Sequence, residues 1–183
     1  RQSVSAKYIH PFSFGDRNQS DLLGGKGANL AEMVKIGLPV PPGFTITTLA
    51  CREFLRTGEI PSLLPEELEV ALTNLERELG KKFGDPKNPL LVSVRSGAKF
   101  SMPGMMDTVL NLGLNDRSVK GLAGSTKDDR FAYDSYRRFI AMYGRIVLGI
   151  EGAKFEHPFE EAKKSAGVKS DATLPAESLR ALC

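Results

Sequence analysis

Two short apolar runs of strand length, residues 90–94 and 109–112, constrain the fold of this chain most strongly. Both are rich in leucine and valine. Apolar runs of about four to eight residues between loops are typical of buried strands, whereas the amphipathic segments elsewhere are longer and have a helical period. Together they predict a mixed α/β (α+β) architecture. We expect a small, mostly antiparallel sheet, which also includes residues 44–47, with helices packed around it.

The clearest predicted helix begins at Pro65 and ends before Gly80. It has Glu66 and Glu67 in its first turn and leucines at 68, 72, 75 and 79 along one face. The same periodicity predicts other helices: residues 28–36, 49–56, 131–147, a shorter one that opens at Pro158 and is capped by Gly167, and a last amphipathic face from Leu174 to Leu182. That last pattern reaches Cys183 without a stop signal, which favours a fragment of a longer protein.

The composition excludes several classes of protein. With 41% hydrophobic and 26% charged residues, a chain of 183 residues is in the globular range and suits one domain. The 25 basic and 22 acidic residues are spread along the sequence, so we predict no nucleic-acid partner and no membrane partner. Two cysteines, Cys51 and Cys183, give neither a disulfide framework nor a thiolate metal site, and they favour an intracellular location.

A glycine-rich turn around Lys26 is the first candidate binding element. Gly24, Gly25 and Gly27 let the backbone approach a phosphate, and the predicted helix that follows would offer unpaired N–H groups. The turn is not a Walker A loop, because that loop needs Ser or Thr directly after its Gly-Lys pair and Gly27 stands here. From these residues alone, a phosphate site and a plain glycine turn with a surface lysine both stay open.

Arg95 is the second candidate, at the end of the first apolar run. A guanidinium at a strand end can bind phosphate oxygens in pairs, but it can equally form a structural ion pair. The following segment, residues 96–108, is a predicted long loop of the kind that is usually functional or disordered. It holds three of the five methionines, which suit either a flat apolar ligand or core packing. Neither His10 nor His157 stands in a catalytic or metal-ligating pattern.

Several segments form a recognisable set. They are Leu22-Leu-Gly-Gly-Lys-Gly-Ala-Asn-Leu-Ala-Glu-Met33, Pro42-Gly-Phe-Thr-Ile-Thr-Thr48, residues 91–115 and Arg130-Phe-Ala-Tyr-Asp-Ser-Tyr-Arg-Arg-Phe139. Together they resemble the pyruvate, phosphate dikinases near their N-terminus, over nearly the whole of residues 1–183. Within residues 91–115, Ser93-Val-Arg-Ser96 is shared with phosphoenolpyruvate synthase and other dikinases, whereas Ser101-Met-Pro-Gly-Met-Met-Asp-Thr108, followed by Asn111-Leu-Gly-Leu114, is specific to this branch.

The resemblance implies the first part of an ATP-grasp nucleotide-binding domain. Such enzymes convert ATP, inorganic phosphate and pyruvate to AMP, pyrophosphate and phosphoenolpyruvate through a phosphohistidine carrier. The family's ATP-site lysine falls on Lys26, and its ATP-site arginine falls on Arg95, which is also the expected catalytic residue. Gly104 and Met105 are expected to contact the nucleotide phosphates and ring. ATP and Mg²⁺ are the implied cofactors, and the metal ligands are expected outside this chain.

Other parts of such an enzyme have no counterpart in this sequence. The carrier histidine stands in a Thr-Ser-His setting that does not occur here, and the pyruvate-binding barrel is absent. The chain is therefore expected to be inactive and monomeric alone, as part of a homodimeric, cytoplasmic or plastid parent. A related dikinase of the phosphoenolpyruvate synthase type, and a non-catalytic nucleotide-sensing or interaction module, are the alternatives.

Overall fold

The computed structural model describes residues 7–97 and 108–183, and helices and short strands alternate along both ranges. The predicted mixed α/β class is confirmed. The described residues divide into two units. Unit 1 comprises residues 7–80 and 96–97, and unit 2 comprises residues 81–95 and 108–183.

Unit 1 combines a two-stranded antiparallel sheet with helices. Ile9 pairs with Ile46 at one end of this sheet, and Pro11 pairs with Phe44 at the other. Glu67 accepts hydrogen bonds from the backbone N–H groups of Tyr8 and Ile9, so the third helix of the unit supports the first strand. The elements of unit 1 are β1 (Ile9–Pro11), α1 (Ser20–Lys35), β2 (Phe44–Ile46), α2 (Thr48–Thr57) and α3 (Leu64–Leu79).

Helix α1 begins earlier than the sequence pattern predicts. We expected a glycine turn at residues 24–27 followed by a helix over 28–36, but helical structure already starts at Ser20. It is interrupted only at Gly24, which has φ 74° and ψ 170°, a conformation that is essentially restricted to glycine. The other glycines of the motif therefore lie within the helix, and a single residue makes the turn.

Helix α3 ends before Gly80 as predicted and begins at Leu64, directly before the predicted start at Pro65, but its leucine face is only partly covered. Gly80 follows it in the left-handed conformation, as the stop signal predicts. Of the four predicted face leucines, Leu75 is buried, whereas Leu68 is 38% exposed and Leu79 is 41% exposed. The periodicity thus identified the helix correctly, while the burial of each leucine depended on its neighbours.

Unit 2 contains two short sheets and a helical group. Residues 90–94 form two strands rather than one, since Leu91 separates them, and the second strand pairs antiparallel with the predicted strand at 109–112. The third expected strand, observed at Phe44–Ile46, instead belongs to the sheet of unit 1, so the three strands expected in one sheet are divided between two two-stranded sheets within the described ranges. The elements are β3 (Lys82–Phe83), β4 (Pro89–Leu90), β5 (Val92–Arg95), β6 (Thr108–Leu112), α4 (Ser118–Thr126), α5 (Asp129–Ile146), α6 (Ala153–Ala166) and α7 (Ala176–Leu182).

The observed start of α6 differs from the predicted one. We expected it to open at Pro158, but it begins at Ala153 and holds the proline in its interior. Proline removes one backbone donor from a helix. Phe155 packs on Gly144 of α5 and Phe159 is buried, so both sides of the proline have packing contacts. The predicted end at Gly167 is confirmed.

The helices of unit 2 pack around α5. Ala132 and Tyr136 of this helix join a core cluster with Val119 of α4. Leu174, just before α7, and Leu179, within α7, are completely buried in a second cluster with Phe159. No helix within the described ranges is both long and apolar enough to cross a bilayer.

Candidate nucleotide-binding site

Lys26 lies in the first turn after the break in α1. Because Gly24 interrupts the helix, the segment from Gly25 onward has its own N-terminal turn, with Lys26 as its second residue. The first backbone N–H groups of a helix have no intrahelical partners, and the helix dipole is positive there. The break therefore combines a lysine ammonium with backbone donors, an arrangement that suits a phosphate group.

The Lys26 side chain extends toward the segment that follows β5. Its Nζ donates a hydrogen bond of 3.3 Å to the backbone carbonyl of Ser96, which belongs to the same unit. An ammonium has three donor hydrogens, and this bond uses one. Lys26 is only partly buried, so the remaining donors can reach an anionic ligand.

Arg95 is the last residue of β5 and is exposed to solvent. Its register partner in β6 is Thr108. Within residues 81–95 and 108–183, no hydrogen bond or ion pair involves its side chain. Arg95 therefore has no partner for a structural ion pair, its alternative role, within the described part of unit 2. Within the described residues, its guanidinium donors are therefore open to a ligand.

Two other candidate residues, Gly104 and Met105, lie outside the described residues, as does most of the predicted loop at 96–108. Lys26 and Arg95 belong to different units. Their convergence on one nucleotide therefore stays a prediction.

No metal site is assembled by the part of the chain that the structure describes. Across residues 7–97 and 108–183, no three histidine, cysteine or carboxylate side chains come close enough to share a metal ion. His10 instead stacks on the ring of Phe14 with 3.8 Å between ring centroids.

A groove in unit 2 has a volume of about 210 Å³, but its chemistry does not suit a nucleotide. It is bounded by α5 and the start of α6, and no charged side chain lines it. Phosphate oxygens need hydrogen-bond donors or positive charge, so Lys26 and Arg95 remain the better candidates. The lining residues are Leu114, Tyr136, Phe139, Ile140, Tyr143, Gly144, Leu148, Ile150 and Phe155.

Two threonines that no sequence motif singles out, Thr45 and Thr48, contact α1 on either side of its break. Thr48 donates from Oγ1 to the backbone carbonyl of Asp21, at 2.6 Å. Thr45 packs so closely on Gly27 that a Cβ atom there would lie 3.1 Å from the threonine Cγ2. No periodic signal marks such contacts, because the partners are far apart in the sequence.

The class of protein follows from sequence comparison together with this geometry. Residues 20–64 and 60–141 match the family model described as pyruvate phosphate dikinase, AMP/ATP-binding domain. A lysine in the first turn of a glycine-broken helix agrees with a domain that binds nucleotide phosphates. The chain belongs to the pyruvate phosphate dikinase family, in its nucleotide-binding domain.

Individual relatives agree with the family model. The chain is 57% identical to a pyruvate, phosphate dikinase of Giardia intestinalis, over 88% of this chain and 18% of that protein. It is 51% identical to the enzyme of that name from Clostridium symbiosum, over 97% of this chain and 20% of the relative. It is 52% identical to pyruvate, phosphate dikinase 1, chloroplastic, of Arabidopsis thaliana, over 98% of this chain and 19% of that protein. The chain thus spans about a fifth of the length of these relatives.

Proposed function

We propose that this chain is the ATP-binding part of a pyruvate, phosphate dikinase. The complete enzyme would convert ATP, inorganic phosphate and pyruvate to AMP, pyrophosphate and phosphoenolpyruvate through a phosphohistidine carrier. The observation that carries the proposal is the match of residues 20–141 to an AMP/ATP-binding domain, in a chain whose Lys26 lies at a helix N-terminus.

Lys26 and Arg95 are proposed to bind the phosphates of ATP. The Lys26 ammonium supplies a point charge beside the N–H groups of the α1 break, and the Arg95 guanidinium supplies paired donors. Arg95 is proposed to act in catalysis, because such donors stabilise phosphate charge as it develops during transfer. Gly104 and Met105 are proposed to contact the phosphates and the base.

The metal and the remaining domains are proposed to come from elsewhere in the parent protein. Mg²⁺ accompanies ATP in this proposal, and its protein ligands are proposed to lie outside this chain. The described residues assemble no cluster of three possible metal ligands. The carrier histidine and the pyruvate-binding barrel belong to the parent's other domains. We place the parent in the cytoplasm, or in the plastid if it is a plant protein, since some relatives are named chloroplastic. The parent is proposed to be a homodimer.

The decisive experiment replaces Lys26 and Arg95 in the full-length protein. Lys26→Met and Arg95→Ala should each slow phosphate transfer from ATP to the carrier histidine, by about a hundred- to a thousandfold for Arg95→Ala, since it removes charge-assisted bonds. The melting temperature should not change, because Arg95 forms no ion pair within the described residues of its unit. The rate of transfer is measured by quenching the reaction with radiolabelled ATP at successive times and counting the label on the protein.

Arg145→Ala is the matched control, since this exposed arginine lies on α5 and has no proposed contact with ATP. Transfer at the normal rate in Arg95→Ala, together with a large loss of stability, would overturn the phosphate-binding role. A full-length protein that turns over without inorganic phosphate would instead be of the phosphoenolpyruvate synthase type. No turnover at all, with ATP still bound, would indicate a nucleotide-sensing module.

A further inference from the structure

The break at Gly24 makes the direction of Lys26 depend on contacts outside α1. A continuous helix orients its residues through its own hydrogen bonds. At Gly24 the backbone leaves the helical conformation, with φ 74° and ψ 170°. Residues 20–23 and 25–35 are therefore two helical segments joined at one glycine, and neighbouring elements must hold their relative direction.

Thr48 holds the segment before the break. It is the first residue of α2, and its Oγ1 donates a hydrogen bond of 2.6 Å to the carbonyl of Asp21. The bond joins residues 27 positions apart in the sequence. Thr48 itself is partly buried, whereas the bond is exposed to solvent, so its effect is that of an ordinary surface hydrogen bond.

Thr45 holds the segment after the break. A Cβ atom on Gly27 would lie 3.1 Å from Cγ2 and 3.2 Å from Oγ1 of Thr45, and 3.1 Å from Cβ of Leu23. Gly27 is buried and directly follows Lys26. The absence of a side chain at 27 thus lets β2 lie against the helical turn that carries the lysine.

We propose that Thr45 and Thr48 are positioning residues for ATP binding. Through their contacts on the two sides of Gly24, they hold the N-terminal turn of residues 25–27 and the Lys26 ammonium in the direction that the phosphates require. The proposal rests on the proposed role of Lys26 in phosphate binding. It adds two residues that touch neither the nucleotide nor the reacting atoms.

The test replaces Thr48 in the full-length enzyme. Thr48→Val keeps the shape of the side chain and removes the hydroxyl, so KM for ATP should rise about three- to tenfold, the equivalent of one hydrogen bond. KM for pyruvate should not change. Thr48→Ser, which restores the hydroxyl, should return KM for ATP to the normal value.

Thr57→Val is the matched control. Thr57 lies at the other end of α2, and its Oγ1 donates 3.0 Å to the carbonyl of Glu53, a bond that does not involve α1. Its loss should leave KM for ATP unchanged. Should Thr48→Val fold poorly, Thr45→Ser removes only the methyl group that touches Gly27 and should raise KM for ATP by a smaller factor. Normal KM for ATP in both variants, or equal rises in KM for ATP and pyruvate, would overturn the proposal.

A double-mutant cycle separates this inference from the proposed function. If Thr48 acts through Lys26, Thr48→Val should weaken ATP binding much less in a Lys26→Met enzyme than in the normal enzyme. Fully additive effects contradict positioning while leaving the role of Lys26 intact. If Lys26→Met alone leaves ATP binding unchanged, the proposed role of the lysine is wrong, and the positioning inference is wrong with it.

Discussion

At the scale of single residues, two glycines of α4 illustrate how local packing decides what a position tolerates. A Cβ atom on Gly121 would lie 2.5 Å from the carbonyl oxygen of Pro86 and 2.8 Å from that of Lys87. A Cβ atom on Gly124, one helical turn further, would meet nothing within 4 Å. The helix therefore approaches the neighbouring backbone at one glycine and faces open space at the other.

The same substitution should have opposite effects at these two positions. Gly121→Ala should lower the free energy of unfolding by about 1–3 kcal/mol, because backbone atoms must move to admit the methyl group. Gly124→Ala should raise it by about 0.5–1 kcal/mol, because alanine favours the helix over glycine. Urea unfolding of both variants checks this, and equal effects would show that α4 does not approach residues 86–87 as described.

The lowered pKa of His10 should make the stability of unit 1 depend on pH. Burial lowers this pKa from 6.5, and the nearby Glu67 carboxylate opposes the shift only in part. A histidine whose pKa is lower in the folded state binds fewer protons there than when unfolded. Its contribution to stability is therefore complete above pH 6.5 and is lost as the pH falls through the folded-state pKa.

We therefore expect the free energy of unfolding to fall as the pH is lowered from above 6.5 through the folded-state pKa of His10, with part of the slope due to this residue. His10→Phe keeps an aromatic ring to stack on Phe14 and should remove that part of the slope. Thermal unfolding across this range measures it. His157→Phe, at an exposed position in the second unit, is the control. An unchanged slope in His10→Phe would contradict the assignment.

At the scale of elements, α7 is held mainly by tertiary contacts. It has only seven residues, and so short a helix is unstable alone in water. Arg130 of α5 donates from Nε to the carbonyl of Leu174 at 2.9 Å and from Nη2 to the carbonyl of Asp171. Leu179 of α7 is completely buried against Leu174 and Phe159. The hydrogen bonds from Arg130 hold the segment before α7, and the buried leucines hold the helix itself.

Leu179→Ala should therefore destabilise unit 2 by about 2–5 kcal/mol, the usual cost of a buried leucine truncated to alanine. Leu182→Ala, on the same helix but at a partly buried position, should cost clearly less. Chemical denaturation followed by circular dichroism measures both. Equal losses at the two positions would show that α7 is not packed through Leu179.

At the scale of the whole molecule, each described unit has its own core. Tyr8, Ile9 and Ala50 form a cluster in unit 1, and the cluster around Val119 and Tyr136 belongs to unit 2. The sheets of both units have two strands within the described ranges. The chain also spans about a fifth of the length of its relatives. Turnover is therefore a property that we assign to the longer parent.

We expect the 183-residue chain alone to bind ATP weakly and to turn over none of it. The described residues assemble no metal site, and the carrier histidine is proposed to lie in another domain. Calorimetry with ATP, with and without Mg²⁺, tests the binding, and a pyruvate-dependent phosphate assay tests turnover. Tight binding that requires Mg²⁺ would contradict the proposal that the metal ligands lie outside this chain.

The sequence alone determined those elements whose signals are local. Helix α3 ends where Gly80 predicted, because a glycine in the left-handed conformation ends a helix whatever surrounds it. The family was also recognisable from the residues around Lys26 and Arg95, and the comparisons confirm it.

Only the tertiary structure decided what depends on distant neighbours. Helix α4 was not predicted, since its glycines weaken the helical pattern and the buried Val119 and Ala123 stabilise it instead. Helix α6 begins at Ala153, before its predicted start at Pro158, and its first turn is held by the packing of Phe155 on Gly144. The contact of Thr48 with α1 joins residues that no periodic pattern relates. Periodicity reports which face of an element is apolar, whereas packing between elements decides which surface it meets.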